Sequence, residues 1–206
     1  CAAWGATRRE DLPWMTPPPA ISWDQSVALL KMLGALDGDS RLTEKGAAMS
    51  RMAMHPRLAN MVMCAGDVGG DIPDAALLAA IIEEGGRRGE TDIRKILDEI
   101  LETPNRPYSR RIIQLSHRFA SKVSQHAAGQ ARASEGAMLA LSYPDRVAKN
   151  RGNGTFRMVS GRGAALEQSD PLAKSPYVVC CELDDPPGDA KVFLASPIDD
   201  SEILEI

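Results

Sequence analysis

Apolar residues recur at helical spacing through the middle of the chain. In "DIRKILDEILE", residues 92–102, they follow the i, i+3, i+4, i+7, i+8 pattern of a helix with one apolar face. The stretches "IPDAALLAAIIEE" and "YSRRIIQLSHRFASKV" repeat this spacing on either side of it. The pattern therefore predicts an all-helical region over residues 69–143.

Shorter helices are predicted ahead of this region. In "RLTEKGAAMSRMAMHPRLANMV", residues 41–62, Thr43 is a good N-cap and Pro56 is suited to a first helical position. A longer helix, "SWDQSVALLKMLGALD", precedes them, with Ser22 as its expected N-cap. Three short helices with a tight turn over residues 21–68 indicate a winged-helix or helix-turn-helix core.

The pattern changes to short β-rich runs from residue 144. "TFRMVS", "YVVCCELD" and "AKVFLAS" are separated by turn clusters such as "DDPPGD". Such strands with Gly-rich turns predict a small OB-like barrel over residues 144–206. The Pro-rich residues 1–20 are predicted to be a linker. The fold class is therefore mainly α, with a C-terminal β part.

Composition narrows the classes of function. The chain has 206 residues, of which 44% are hydrophobic and 25% charged, as in ordinary globular domains. No apolar run reaches the roughly 20 residues that span a bilayer, so no membrane segment is predicted. A first residue other than Met leads us to expect a piece of a longer protein.

Motifs for catalysis and cofactor binding are absent from the sequence. There is no G-x-x-x-x-G-K-[ST] phosphate loop and no Ser–His or Cys–His pattern of a nucleophile with its base. The four cysteines lack metal-ligand spacing, so they are interpreted as reduced thiols. We therefore expect no catalytic residue, metal or cofactor in this region.

Charge is strongly segregated along the chain. Residues 103–165 hold eleven basic and two acidic residues, a net charge of +9, although the whole chain carries −4. Segregation of this kind favours a polyanionic partner for the middle of the chain. The plainer alternative is a solvated basic face.

The densest cluster is "YPDRVAKNRGNGTFRMVSGRGAAL", residues 143–166, in which basic residues alternate with glycines and with Phe156. Arginine presents a planar fork to phosphate, glycine lets a strand approach closely, and an aromatic ring can stack on a base. Together with three basic residues on one line of the helix before it, the cluster gives the predicted nucleic-acid contacts. They are Arg111, Arg118, Lys122, Arg146, Lys149, Arg151, Arg157 and Arg162.

Ordered motifs give a resemblance to a known family. "LGALDGDSRLTEKGAAMSRMAMHPRLANMV" resembles the segment that follows the second RecA-like domain in DEAH-box RNA helicases. In this sequence the family pattern falls on Leu33 to Asp37, on Leu42, Thr43, Gly46 and Met49, and on Pro56 to Ala59 with Met61. "EDLPWMTPPP", "LALSYPDRVAKNRG" and "DPLAKSPYVVCCELD" resemble the bacterial HrpB type of these helicases.

The resemblance implies an accessory region without catalysis of its own. Winged helix, helical ratchet bundle and OB-like barrel would cover single-stranded RNA and couple closure of the ATPase to translocation. ATP and Mg²⁺ would bind the RecA-like motor domains of the same parent chain, which is expected to be cytoplasmic. Two alternatives remain open from the residues: a winged-helix DNA-binding regulator, and a protein-interaction scaffold with an acidic partner.

Overall fold

The computed structural model describes residues 1–86, 89–123, 133–184 and 187–206. They form two compact units, Cys1–Asn60 and Met61–Ile206. The predicted helical region over 69–143 therefore includes two stretches, 87–88 and 124–132, that lie outside the described residues. The basic residue Arg132 is among them.

The first unit consists of short helices. Two 3₁₀ turns, Ala2–Trp4 and Arg9–Asp11, precede α1 (Ala20–Met32) and α2 (Glu44–Ser50), and α3 (Pro56–Cys64) begins in this unit. Between α1 and α2 the chain makes a single antiparallel bridge, from Leu36 to Leu42.

The ends of these helices match the sequence prediction except at α1. Thr43 caps α2, since its Oγ1 accepts from the Gly46 amide at 2.9 Å, and α3 starts at Pro56 as predicted. The prediction that Ser22 caps α1 is wrong. The Trp23 amide donates to the Pro19 carbonyl, so the N-cap is Pro19, three residues earlier, and Ser22 lies inside the helix.

The second unit begins with a helical layer made of α4 (Ile72–Glu83), α5 (Ile93–Glu102), α6 (Pro107–Ala120) and α7 (Glu135–Ser142). Asp71, Asp92 and Ser134 cap α4, α5 and α7 with side-chain oxygens. The predicted apolar face of α5 is buried except for Leu101, whose side chain stays 61% exposed. α6 packs on α4 and α5, whereas α5 and α7 pack against the strands that follow.

The strands close into a barrel. They are β1 (Val147–Gly152), β2 (Thr155–Met158), β3 (Gly163–Ala165), β4 (Tyr177–Leu183) and β5 (Ala190–Pro197), and α8 (Asp200–Glu205) follows them. Their order around the barrel is β1-β2-β3-β5-β4; the pair β3–β5 is parallel and the others are antiparallel. The prediction of a helical chain with a C-terminal β-barrel is confirmed at this level.

Alternation along the strands fills the barrel. Ala148, Phe156, Met158, Val178 and Val192 point into one apolar cluster, while their neighbours in sequence point outward. β4 is an exception, because α7 packs on its outer face and residues Val178 to Cys181 are all buried.

Candidate nucleic-acid interface

A transverse row of side chains crosses the outer face of the barrel. In the strand register Lys149 of β1 lies opposite Tyr177 of β4 on one side and Arg157 of β2 on the other. Arg157 in turn lies opposite Gly163 of β3. Residues that are paired across strands share a face of the sheet. Lys149 and Arg157, two predicted residues on adjacent strands, are therefore neighbours, and we call Tyr177, Lys149 and Arg157 the basic row.

The basic row places two positive charges opposite each other on neighbouring strands. Lys149 and Arg157 are both exposed, and side chains directly opposite in antiparallel strands have Cβ atoms about 4.5–5.5 Å apart. Like charges directly opposite each other on neighbouring strands are destabilising. Within the described ranges neither side chain forms an ion pair with a carboxylate. A phosphate between the two cations would convert the repulsion into two attractive contacts.

The aromatic member of the row supports the lysine. The Lys149 ammonium lies 5.9 Å from the centroid of the half-buried Tyr177 ring, within the range of a cation–π contact. The predicted set omitted Tyr177. Its position at the start of a β-rich run was the available signal, but only the register of β4 against β1 brings it beside Lys149.

Phe156 does not take the role that the sequence prediction gave it. Its side chain is fully buried in the barrel core, so it cannot stack on a base. The alternation in "TFRM" explains this result: Phe156 and Met158 face inward, which turns Thr155 and Arg157 outward.

The turn between β1 and β2 carries Arg151. Three residues with positive φ, Gly152, Asn153 and Gly154, form this turn. Asn150 fixes its base, because Nδ2 donates to the Ala173 and Ser175 carbonyls at 2.9 and 2.8 Å and Oδ1 accepts from the Gly152 amide at 2.7 Å. Arg151 is thus an exposed cation on an anchored turn, close in sequence to the basic row.

Arg146 and Arg162 occupy more enclosed positions. The Arg146 guanidinium donates to the Cys181 carbonyl at 2.9 Å and lies 5.1 Å from the Tyr143 ring centroid. These contacts tie the barrel to the end of α7. Arg162 is half-buried in the turn between β2 and β3, where its carbonyl accepts from the Met158 amide.

The three predicted residues of the helical layer lie apart from the row. Arg111, Arg118 and Lys122 are exposed on α6 or just after it. Arg111 is paired with Glu84 at 2.6 Å. Because α6 packs on α4 and α5 while α5 and α7 meet the barrel, the predicted set divides between two layers of the second unit.

Other chemistry is limited in the part of the chain that the structure describes. There, no three His, Cys, Asp or Glu residues are grouped so as to hold a metal ion. Burial raises the pKa of the Cys180 thiol to about 12, and it raises that of Cys181 as well. Both thiols therefore stay protonated at neutral pH. No helix within the described ranges is long and apolar enough to span a bilayer.

Comparison with known proteins gives one relative over nearly the whole chain and others over about a quarter of it. No protein-family model matches. ATP-dependent RNA helicase HrpB of Escherichia coli is 31% identical over 98% of this chain, which spans 24% of that protein. Probable ATP-dependent RNA helicase DHR1 of Saccharomyces cerevisiae is 36% identical over 26% of this chain. Human DHX35, also a probable ATP-dependent RNA helicase, is 42% identical over 27% of this chain.

Solved structures agree with the sequence matches. A crystal structure of the E. coli DExH-box NTPase HrpB aligns over 99% of this chain with a TM-score of 0.79 and 27% identity. One of the E. coli DEAH/RHA helicase HrpB aligns over 97% with a TM-score of 0.75 and 26% identity. The aligned region is 24% of each of those chains.

Each of these relatives is described as an ATP-dependent RNA helicase or a probable one, and this chain matches a part of each. Over 98% of its length the chain matches HrpB, of which it spans 24%. In both sequence and fold it corresponds to the C-terminal accessory region of HrpB-type helicases, which confirms the resemblance inferred from the motifs.

Proposed function

We propose that this chain is the non-catalytic accessory region of an ATP-dependent RNA helicase, and that the basic row on its barrel holds single-stranded RNA. The observation that carries the proposal is the opposed pair Lys149 and Arg157 beside the Tyr177 ring. Single-strand binders combine a basic groove for the phosphates with aromatic rings for the bases. The row offers both on one face of the sheet.

The strand order supports an OB-type interpretation of the barrel. OB-folds are five-stranded barrels that bind oligonucleotides around strands 2 and 3 and the loops beside them. Here the order β1-β2-β3-β5-β4 closes through the β1–β4 pair, and Arg157 and Arg151 lie on β2 and at the β1–β2 turn. The predicted winged helix over 21–68 and helical ratchet bundle over 69–143 are part of the same proposal.

The rest of the parent protein supplies the other partners in this proposal. RecA-like motor domains of the same chain would bind ATP and Mg²⁺, and the accessory region would couple their closure to movement along RNA in the cytoplasm. The support is the match to HrpB, of which this chain spans about a quarter. Arg111, Arg118 and Lys122 on α6 would contact the strand from a second layer, and Arg151 and Arg162 would contact it from the barrel turns. Arg146, which is held by Cys181 and Tyr143, would act by keeping the barrel in place.

The test is the binding of a labelled twelve-nucleotide single-stranded RNA, followed by fluorescence anisotropy at several salt concentrations. For Lys149→Ala/Arg157→Ala we expect affinity to fall roughly tenfold or more. The slope of log affinity against log salt should fall by about 1.4, because two phosphate contacts and their released counterions are lost. The control Arg51→Ala/Lys174→Ala removes the same charge from exposed positions outside the row and should keep the wild-type slope.

The other possible outcomes contradict this proposal, and some of them favour a different function for the chain. A preference for duplex DNA would favour the winged-helix regulator. RNA affinity that does not change with salt concentration would overturn the role of the basic row. A Lys149→Ala/Arg157→Ala variant that binds RNA like the wild type would overturn it as well. Binding of an acidic protein with no affinity for RNA would favour the scaffold.

A further inference from the structure

A cleft of about 440 Å³ lies beside the barrel, next to β5. Its walls come from three segments of the second unit: the loop 89–91 with Lys95 of α5, the loop 166–171 that follows β3, and Lys191 to Phe193 of β5. Its volume falls within the range of about 300–1,000 Å³ that small-molecule sites occupy. The cleft is therefore large enough for one aromatic ligand.

An aromatic ring lines this cleft without being buried in it. Phe193 is 48% exposed, and the Lys191 ammonium lies 5.8 Å from the ring centroid. Alternation along β5 produces the exposure, since Val192 and Leu194 point inward. A ring that keeps half of its surface in solvent beside a cation can stack on a base while the cation meets a phosphate.

Anchored carboxylates form the polar walls of the cleft. Glu167 pairs with Lys191 at 3.3 Å. On the opposite wall Glu90 accepts from the Asp92 amide at 3.0 Å and pairs with Lys95 at 3.3 Å. Glu167 keeps 73% of its side chain exposed, so its oxygens can accept hydrogen bonds from a ligand. A carboxylate recognises bases that present N–H donors.

The register connects the cleft to the basic row. Arg157 lies opposite Gly163, and two residues along the strands Thr155 lies opposite Ala165, which lies opposite Lys191. The Asp189 carboxylate covers the outer face of Gly163. A single strand that runs from the row to Phe193 would therefore cross β3 over the small residue Ala165.

We propose that this cleft binds one unstacked nucleobase of the RNA strand. The base stacks on Phe193, Lys191 contacts its phosphate, and Glu167 accepts hydrogen bonds from the base edge. Guanine is the preferred base, because its N1–H and N2–H groups can donate together to one carboxylate, whereas uracil has a single N3–H donor. This inference rests on the proposed function, since it needs a strand on the basic row.

The experiment measures the affinity of the 206-residue protein for two twelve-nucleotide RNAs. One is all-uridine, and the other is the same sequence with one central guanosine. Wild type should bind the guanosine RNA several-fold more tightly. Phe193→Leu, which keeps an apolar side chain but removes the stacking face, should weaken binding of the guanosine RNA about fivefold or more. Glu167→Gln should remove the preference for guanosine, measured as the ratio of the affinities for the two RNAs. Val159→Ala is the control, since Val159 is an exposed apolar residue outside the cleft.

The two proposals fail in different ways. If Lys149→Ala/Arg157→Ala weakens both RNAs equally but Phe193→Leu and Glu167→Gln behave as wild type, the cleft does not bind a base and the basic row stands. If the double variant binds both RNAs like the wild type, the proposed function fails and the cleft proposal fails with it. Thermal melts of each variant show that loss of binding is not loss of fold.

Discussion

Cys180, Cys181 and Glu182 are consecutive residues of β4 whose chemistry is set by burial. Water stabilises the charged form of an acid, so removing water raises its pKa. Burial raises the pKa of both thiols, and partial burial raises the pKa of the Glu182 carboxyl. The carboxyl is the member of this group that ionises within the usual working range of pH, so it couples folding to pH.

Glu182→Gln tests this coupling. Because the pKa of Glu182 is higher in the folded state than the usual 4.5, the protonated acid favours folding. That contribution is present below the unfolded pKa and is lost as pH rises through the folded pKa. We expect the variant to gain melting temperature relative to wild type at pH 7 and to gain less at pH 4. Differential scanning calorimetry across this range measures it.

Glu205→Gln is the matched control at an exposed position of α8. It should show no such pH-dependent difference. An equal gain for Glu182→Gln at both pH values would mean that ionisation of Glu182 does not oppose folding.

Helices in this chain approach their neighbours through glycine. Gly46 lies inside α2, where a Cβ atom would overlap the carbonyl oxygen of Ala35. Gly136 at the start of α7 is in the same position against the carbonyl of Pro197. In an exposed helix, replacing glycine by alanine stabilises by roughly 0.5–1 kcal/mol. At these two contacts the added carbon would clash with the backbone of the neighbouring segment, so the substitution destabilises the protein.

Gly46→Ala should therefore destabilise the first unit. We expect the free energy of unfolding to fall by about 1–3 kcal/mol, the usual cost of inserting a carbon into a closed contact. Urea denaturation measures it. Gly38→Ala is the control in the same unit, because a Cβ there meets nothing within 4 Å. Equal stability of both variants would show that α2 moves freely against Ala35.

The helical layer and the barrel of the second unit are joined through the start of α5. The Ala195 amide of β5 donates to the Thr91 carbonyl at 2.8 Å, and Asp92 makes a parallel bridge with Ala195. The Asp92 carboxylate is buried, caps α5 and pairs with Arg94 at 2.7 Å. Asp92 thus caps α5 through its side chain and meets the barrel through its backbone.

Asp92→Ala should cost more than the loss of a helix cap alone. A cap is worth about 0.5–2 kcal/mol, and this variant also leaves Arg94 without its partner. Asp71→Ala, which removes the cap of α4 at an exposed position, provides the comparison. We expect Asp92→Ala to lower the free energy of unfolding by at least about 1 kcal/mol more than Asp71→Ala. Equal losses would mean that the pair with Arg94 adds nothing beyond the cap.

The sequence alone determined features that depend on neighbours along the chain. The spacing of apolar residues predicted the helices, Thr43 and Pro56 marked helix starts, and the change to short β-rich runs marked the barrel, because each depends on local backbone geometry. The ordered motifs of residues 10–19, 33–62, 139–152 and 170–184 gave the resemblance to the helicase family.

Tertiary structure alone decided which side chains meet. Lys149, Arg157 and Tyr177 come from three strands, and their contact depends on a register that the side-chain pattern of one strand does not contain. The same holds for Phe156, which the barrel closes over, and for Arg146, which the Cys181 carbonyl holds. Charged residues can be counted along a sequence. Whether they can bind one ligand together depends on the distances between them across the sheet, and pairing between remote segments sets those distances.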